Sequence, residues 1–313
     1  MKRYINAIQE YNSDNFWGNL VQKNVVLAPH TTFKIGGPAR YFVEVKTTAE
    51  FEYALQFARQ ASIPVFILGK GSNILISSKG FDGLVIKVST QRIIVKGDKL
   101  LTNAGVNIRD IIAMSVDYGL SGFEHFAGIP STIGGALWQN IHFLSPDRTR
   151  TVFIDEIFES ALVFNFATGQ TKILSKADFC FDYDESILRQ NNNLIVLSAW
   201  FKLQKKPKSE IVETIVQNLA WRNERHPPYC REPSAGSIFK KVDNVGAGRL
   251  IEEVGLKGFS VGGAMISPKH ANFIINTGNA TSDDVLDLIN KIQERVHRIT
   301  GHELETEIKF VGI

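Results

Sequence analysis

Three glycine clusters are the first residues whose spacing suggests chemistry: Gly36-Gly37, Gly69-Lys70-Gly71-Ser72-Asn73, and Gly128 through Gly134-Gly135. The second directly follows an apolar run ending at Leu68, so its amides can face an anion beyond a strand's carboxyl end. Glycine lets backbone approach a pyrophosphate closely, and Ser72 and Asn73 add a hydroxyl and an amide. Any one cluster alone reads more simply as a tight turn. Neither the Rossmann fingerprint nor the P-loop pattern is present. Three such clusters close together point toward a dinucleotide without saying which.

Ser237, in Pro233-Ser234-Ala235-Gly236-Ser237, has small neighbours that would let a substrate approach its hydroxyl. A serine nucleophile needs a base and an orienter, and no nucleophile elbow exists here. A serine acting as proton donor needs less machinery. Glu305 and Glu307 alternate with Leu304, Thr306, Ile308 and Phe310, which puts the two carboxylates on the polar face of a terminal strand. Most such carboxylates are simply solvated. The seven histidines, among them His142, His226 and His270, have no metal-ligand spacing, and no metal is expected.

The elements that must position these groups are legible from periodicity. Phe42–Val45 reads as a strand. Thr47 with Glu50 has capping-box spacing ahead of a helix bearing Phe51, Ala54, Leu55 and Ala58, and Val65–Leu68 is a buried strand after Pro64. A strand at Leu84–Val88 closes this unit. Short strands follow at Ile93–Lys96 and Leu100–Thr102, then a helix from Asn107 to Tyr118 ended by Gly119, then strands at Ile157–Asn165 and Leu194–Leu203. Gln204–Ser209 reads as a linker. Beyond it, Ile211, Val212, Ile215, Val216 and Leu219 share one helix face. Arg249–Val254 is a short helix, Phe273–Asn276 a strand, and Ser282 or Asp283 caps a long helix carrying Val285, Leu288, Ile289, Ile292 and Val296. Leu304–Val311 is the last strand. The opening 25 residues read as a short amphipathic lead-in.

The chain's 313 residues exceed one ordinary core. With 44% hydrophobic and 21% charged residues, the composition is that of a globular protein. A net charge of +3 without a basic patch gives no reason to expect nucleic acid. Cys180 and Cys230 are too few for a disulfide framework or a cysteine-rich metal site, and read as free thiols in a reducing compartment. No apolar stretch approaches the roughly 20 residues that span a bilayer. A cytoplasmic, membrane-free chain is expected, and nothing requires more than a monomer.

Together these segments resemble the UDP-N-acetylenolpyruvoylglucosamine reductase (UDP-N-acetylmuramate dehydrogenase) family. The resemblance runs from about Asn24 to the C-terminus, and its signatures are Asn24–Gly37, Gly69–Ile76, Gly80–Ile86, Gly128–Ala136, Pro233–Lys240, Gly255–Gly263, Lys269–Asn276 and Glu305–Phe310. It implies an α+β architecture: a two-subdomain FAD-binding fold of the vanillyl-alcohol-oxidase type plus a C-terminal α+β substrate-binding domain. The corresponding segments are 1–92, 93–205 and 206–313, with the last strand returning toward the flavin. It implies noncovalent FAD, with NADPH as hydride source, and reduction of UDP-N-acetylglucosamine-enolpyruvate to UDP-N-acetylmuramate for peptidoglycan precursors. Gly69, Lys70, Gly71, Ser72 and Asn73 match the pyrophosphate loop, and Gly128, Ile129 and Gly134 a second FAD-binding segment. Ser237 matches the proton donor and Glu307 the acidic residue beside it. Tyr183, Arg189, Lys241 and His270 are the implied substrate-binding residues. The short run from Ile187 to Leu194 is similar to the family subtype without the extra substrate-covering loop.

The resemblance breaks at one position. Where the family reads Tyr-Arg-x-Ser, this chain has Tyr183-Asp184-Glu185-Ser186. A carboxylate there is expected to repel the negative charge that develops on the substrate, and loss of such an electrostatic contact costs about 10²–10³ in rate. Arg189, Arg148, Arg150 and Arg231 are candidate replacements. Two smaller departures are Asn140-Ile141-His142 in place of Asn-Ala-Gly, and Lys241 in place of an asparagine. An FAD-binding homologue with impaired or different chemistry is therefore the alternative reading. An FAD-linked oxidase is disfavoured by the Ser237 and Glu307 segments.

Overall fold

The computed structural model describes residues 20–243 and 245–313. The predicted lead-in lies outside them except at its end, where Gln22–Val26 is a strand. The chain forms two compact units, each assembled from separated segments. The first takes Phe42–Gly69 and Gly83–Trp221; the second takes Lys23–Tyr41, Lys70–Asp82 and Arg222–Ile313.

In the first unit the expected strand–helix–strand piece is present. Strand Val65–Leu68 pairs in parallel with Leu84–Lys87, and helix Thr48–Gln60 buries Phe51, Ala54, Leu55 and Ala58. Thr47 and Glu50 complete the capping box: the Thr47 hydroxyl accepts from the Glu50 amide, and the Glu50 carboxylate accepts from the Thr47 amide. The rest of the unit is built on a five-stranded antiparallel sheet. Its order is Gln170–Ser175, Phe158–Asn165, Leu194–Lys202, Lys99–Asn103, Ile93–Lys96. Its core is aromatic, with Phe158 against Phe179 at 4.6 Å and Phe123 edge-on to Phe201 at 4.9 Å between ring centroids. Such pairs add about 0.5–1.5 kcal/mol each beyond simple burial. Helix Ile108–Tyr118 ends at Gly119 with φ +61°, as read from the sequence, but Asn107 bonds the Asp110 carboxylate instead of capping through its side chain.

Two expectations in this region need correction. Gln204–Ser209 is not a free linker: Gln204–Lys205 pairs with Leu120–Ser121, and helix Lys208–Arg225 has already begun at Lys208. Nor does that helix bury its whole apolar stripe. Ile211 is buried and Ile215 packs on the core, whereas Val212, Val216 and Leu219 are exposed. The wholly buried residue further along it is Asn218, whose amide donates to the Glu124 and His125 carbonyls. Those polar backbone groups must be satisfied, so the helix is rotated toward them and away from its apolar face.

The second unit is a four-stranded sheet in the order Ser234–Ser237, Phe273–Asn276, Ala264–Ile266, Ser260–Val261. Helix Ser282–Thr300 backs it through the predicted Val285, Leu288, Ile289, Ile292 and Val296, all buried. The short helix read at Arg249–Val254 spans Ala247–Glu253, and Gly255 follows at φ +72°. The last strand is shorter than expected. Only Lys309–Val311 is a strand, paired in parallel with Ile74–Ile76, while Thr306 makes a single bridge to Phe239. Among the described residues no helix is long and apolar enough to cross a membrane.

The cap of the long helix is Thr281, one residue before the predicted pair. Its hydroxyl accepts from the Asp284 amide at 3.1 Å, and the Asp284 carboxylate accepts from the Thr281 amide at 2.9 Å. Ser282 is instead joined to Ser78 by reciprocal hydrogen bonds of 2.9 Å. Thr281→Ala should therefore lower stability by about 1 kcal/mol in denaturant unfolding, and Thr281→Ser by much less.

Candidate active site

The loop after strand Val65–Leu68 is shaped by its carbonyls. Gly69 O accepts from Lys87 Nζ at 2.9 Å, Gly71 O from the Thr32 amide at 3.1 Å, and Asn73 O from the Lys309 amide at 3.0 Å. Among the described residues the amides of Lys70, Gly71 and Ser72 have no backbone partner. A run of such N–H groups between the anchored carbonyls of Gly69, Gly71 and Asn73 is a donor set that suits a pyrophosphate. Gly71 has φ +63°, and a Cβ there would stand 2.9 Å from the His30 carbonyl oxygen, so this turn demands glycine.

In the second unit the same loop runs into the serine and glutamate segments. The Ser72 carbonyl faces Gly236 at 3.9 Å from where a Cβ would sit. Thr32 Oγ1 donates to the Ser234 carbonyl at 2.8 Å, fixing the start of the Ser234–Ser237 strand. The Glu307 amide donates to the Ile238 carbonyl at 2.8 Å, so Glu307 lies alongside the residue that follows Ser237. Ser72, Asn73, Ser237 and Glu307 are thus brought into one constellation. Glu305, by contrast, is exposed and pairs with Lys240 at 2.6 Å.

In the first unit Gly69 meets the second glycine segment: a Cβ on Gly69 would lie 2.5 Å from Thr132 Oγ1. Thr132 caps helix Ile133–Gln139, with its hydroxyl accepting from the Gly135 amide. Gly128 is exposed at φ +83°. Ile129 is partly buried against the core, and the Gly134 amide is already spent on the Ala104 carbonyl at 2.8 Å. Gly134 therefore serves close packing here rather than donating through its amide.

Helix Ile133–Gln139 and the turn carrying Asp184 are joined residue by residue. Ser186 Oγ donates to the Trp138 carbonyl at 2.9 Å, Gln139 Nε2 to Asp184 Oδ1 at 2.9 Å, and Asn140 Nδ2 to the Asp182 carbonyl at 3.0 Å. Asp184 sits at φ +54° and has no exposed surface. Tyr183 stacks obliquely on His142 at 4.7 Å between ring centroids. Of the candidate cations, Arg148 is held between Phe143 and Trp221 and donates to Asn218 Oδ1 at 2.8 Å, while Arg150 pairs with Glu156 at 2.8 Å. Arg231 lies exposed on a turn of the second unit, its amide bonded to the Pro228 carbonyl. Arg189 lies over the Trp138 ring at 4.8 Å, with Nη1 3.2 Å from Gln139 Oε1. Gln139 is the residue that sequence reasoning missed. Its only signal was its place beside the departing Asn140-Ile141-His142 run.

His270 packs on Phe273, the partner of Ser237 across the sheet, and lines a cavity of about 440 Å³ in the second unit with Arg249, Glu252 and Lys269. Its Nδ1 accepts from the Asn272 amide at 3.2 Å, leaving Nε2 to carry the proton of the neutral ring. Lys241 is exposed. Among the described residues no group of three His, Cys, Asp or Glu side chains can hold a metal ion.

The model of the FAD binding domain family matches residues 39–171, which makes the chain a flavoprotein by class. The model described as UDP-N-acetylenolpyruvoylglucosamine reductase, C-terminal domain, matches residues 227–311. The reductase of that name from Caldanaerobacter subterraneus subsp. tengcongensis is 41% identical over 92% of this chain and 93% of its own. The one from Moorella thermoacetica is 38% identical over 93% of each. The crystal structure of the Thermus caldophilus reductase superposes with a TM-score of 0.78 at 32% identity, covering 93% of this chain and 98% of that one. The chain belongs to the UDP-N-acetylenolpyruvoylglucosamine reductase family.

Burial, followed by the Arg222 guanidinium, lowers the His226 imidazole to about 3. The unfolded chain then binds the extra proton from its ordinary value near 6.5 downward, while the folded chain does not. Stability from this group is present above the unfolded value and is lost as pH falls from about 6.5 toward 3. His226→Phe keeps an aromatic ring against Phe273 and should show a smaller fall in melting temperature between about pH 7 and pH 4 than the native chain.

Proposed function

We propose that this chain reduces UDP-N-acetylenolpyruvoylglucosamine to UDP-N-acetylmuramate with NADPH and FAD, the step that supplies a peptidoglycan precursor. The observation that carries this reading is that the segments bearing Ser237 and Glu307 lie side by side at the end of the glycine loop, in a chain that matches the family over nearly its whole length. Bound FAD supplies the hydride chemistry between NADPH and the enolpyruvyl double bond. The amides of Lys70, Gly71 and Ser72, with Asn73, would hold its pyrophosphate, and Gly69, Gly128, Ile129 and Gly134 are the further residues assigned to FAD. Segments 1–92 and 93–205 form the FAD-binding part, and 206–313 the substrate-binding part.

The remaining work falls to this chain's own side chains. Ser237 Oγ gives a proton to the substrate carbon that carries the carboxylate, and the Glu307 carboxyl stands by as the acid that returns one. Negative charge spreads toward the substrate carboxylate as the new C–H bond forms at the terminal carbon, and this reading assigns the Arg189 guanidinium to that charge. The reading assigns Tyr183, Lys241 and His270 to the rest of the substrate. Lys241 adds a cation where the family has an amide. Asp184, wholly enclosed and bonded to Gln139, is not presented to the substrate. The same reading sets the enzyme in the cytoplasm.

The test is anaerobic. The protein with its flavin is reduced by NADPH, UDP-N-acetylenolpyruvoylglucosamine is added, and the oxidised flavin absorbance is followed. Rapid return of that band with formation of UDP-N-acetylmuramate is expected, whereas flavin that stays reduced would overturn the reading. Ser237→Ala should keep its flavin and slow the return by about 10²–10⁴-fold.

A further inference from the structure

We infer that Asp184, acting through Gln139, is a positioning residue that aims the Arg189 guanidinium. The inference rests on the reading of Arg189 as the cation that meets the substrate carboxylate. An ionised carboxylate only accepts hydrogen bonds and a guanidinium only donates them, whereas a primary amide does one at each end. Gln139 stands between the two, with Nε2 2.9 Å from Asp184 Oδ1 and Oε1 3.2 Å from Arg189 Nη1. Turning the amide over would set its oxygen against the carboxylate and its NH₂ against the guanidinium, so the charge of Asp184 selects one orientation.

The support is rigid at both ends. Asp184 is fully buried and Gln139 is 7% exposed, so water does not compete for either. The flanking bonds from Ser186 and Asn140 lock the turn to the helix end. His142 Nδ1 approaches Asp184 Oδ1 at 3.5 Å from the other side. Arg189 itself has a face on the Trp138 ring at 4.8 Å and an edge toward Glu185, with Nε 3.5 Å from Oε1, and Gln139 adds a polar contact at Nη1 that bears on the guanidinium's tilt. An aspartate at the motif's arginine position thus does not oppose the substrate charge. It orients an amide that presents an oxygen to a different arginine.

The test is a mutant cycle on the flavin-loaded enzyme, reading kcat and KM for UDP-N-acetylenolpyruvoylglucosamine, with flavin content and melting temperature as the record of folding. Asp184→Asn removes the bias on the amide and should lower kcat/KM by about 10- to 100-fold, and Arg189→Ala by at least as much. The double variant D184N/R189A should be no worse than R189A alone. D184N/Q139E keeps the net charge and restores the polarity, because the amide introduced at position 184 donates to the carboxylate introduced at position 139, and that carboxylate accepts from Arg189. It should regain much of the loss, which a merely structural role would not. Additive losses in D184N/R189A, or no recovery in D184N/Q139E, would overturn the inference while leaving the role of Arg189 intact. Unchanged kcat/KM in R189A would instead remove the role of Arg189 and the inference with it. Should D184N lose its fold, Gln139→Asn, too short to reach Arg189, takes its place in the cycle with the same expected non-additivity.

Discussion

The parallel pairing of Lys309–Val311 with Ile74–Ile76 is the constraint on which the serine and glutamate segments of the second unit depend. It joins the last strand of the chain to the strand that leaves the glycine loop. The pairing extends backward through the Lys309 amide to the Asn73 carbonyl, and the chain before it lies along Ile238 and Lys240 through the Glu307 amide and the Glu305 carbonyl. A loop, a serine strand and a glutamate from three distant parts of the sequence are thereby set by backbone hydrogen bonds. Backbone bonds leave less freedom than side-chain contacts, which suits groups that must meet a substrate in a defined geometry.

The first unit solves a different problem, that of a fully buried carboxyl group at the position where the motif has an arginine. A lone buried carboxylate is costly unless its lone pairs are occupied. Here the donor comes from the last turn of a short helix, and the same side chain passes an acceptor on to Arg189. Three consecutive residues at that helix end, Trp138, Gln139 and Asn140, each hold one point of the Asp182–Ser186 turn. Asp184 and Gln139 therefore read as a pair.

Local signals were reliable wherever one element satisfied its own needs. The Thr47–Glu50 box, the Phe51 to Ala58 stripe, the glycine that ends Ile108–Tyr118 and the strand Phe273–Asn276 all appear as their residues indicate. The failures have a common cause, which is a partner far away in sequence. Lys208–Arg225 turned its stripe outward to let Asn218 reach two carbonyls, Ser282 was taken by Ser78, and Gln204–Lys205 found a strand partner in Leu120–Ser121. None of these partners is visible in a periodic pattern.

By itself the sequence determined the family and the glycine loop, because turn chemistry and motif spacing are properties of contiguous residues, while Ser237 and Glu307 entered as candidates through the resemblance. It also exposed Asp184 as a departure and placed Arg189 among several replacements. Only the tertiary structure gave each of them its partners within the first unit. Arg148 is engaged by Trp221 and Asn218 and Arg150 by Glu156, while Arg189 lies on Trp138, beside Glu185 and an amide bonded to Asp184. A charge has no fixed meaning in a sequence, since its effect depends on burial and on which partner accepts or donates beside it, and those are settled only when distant segments pack.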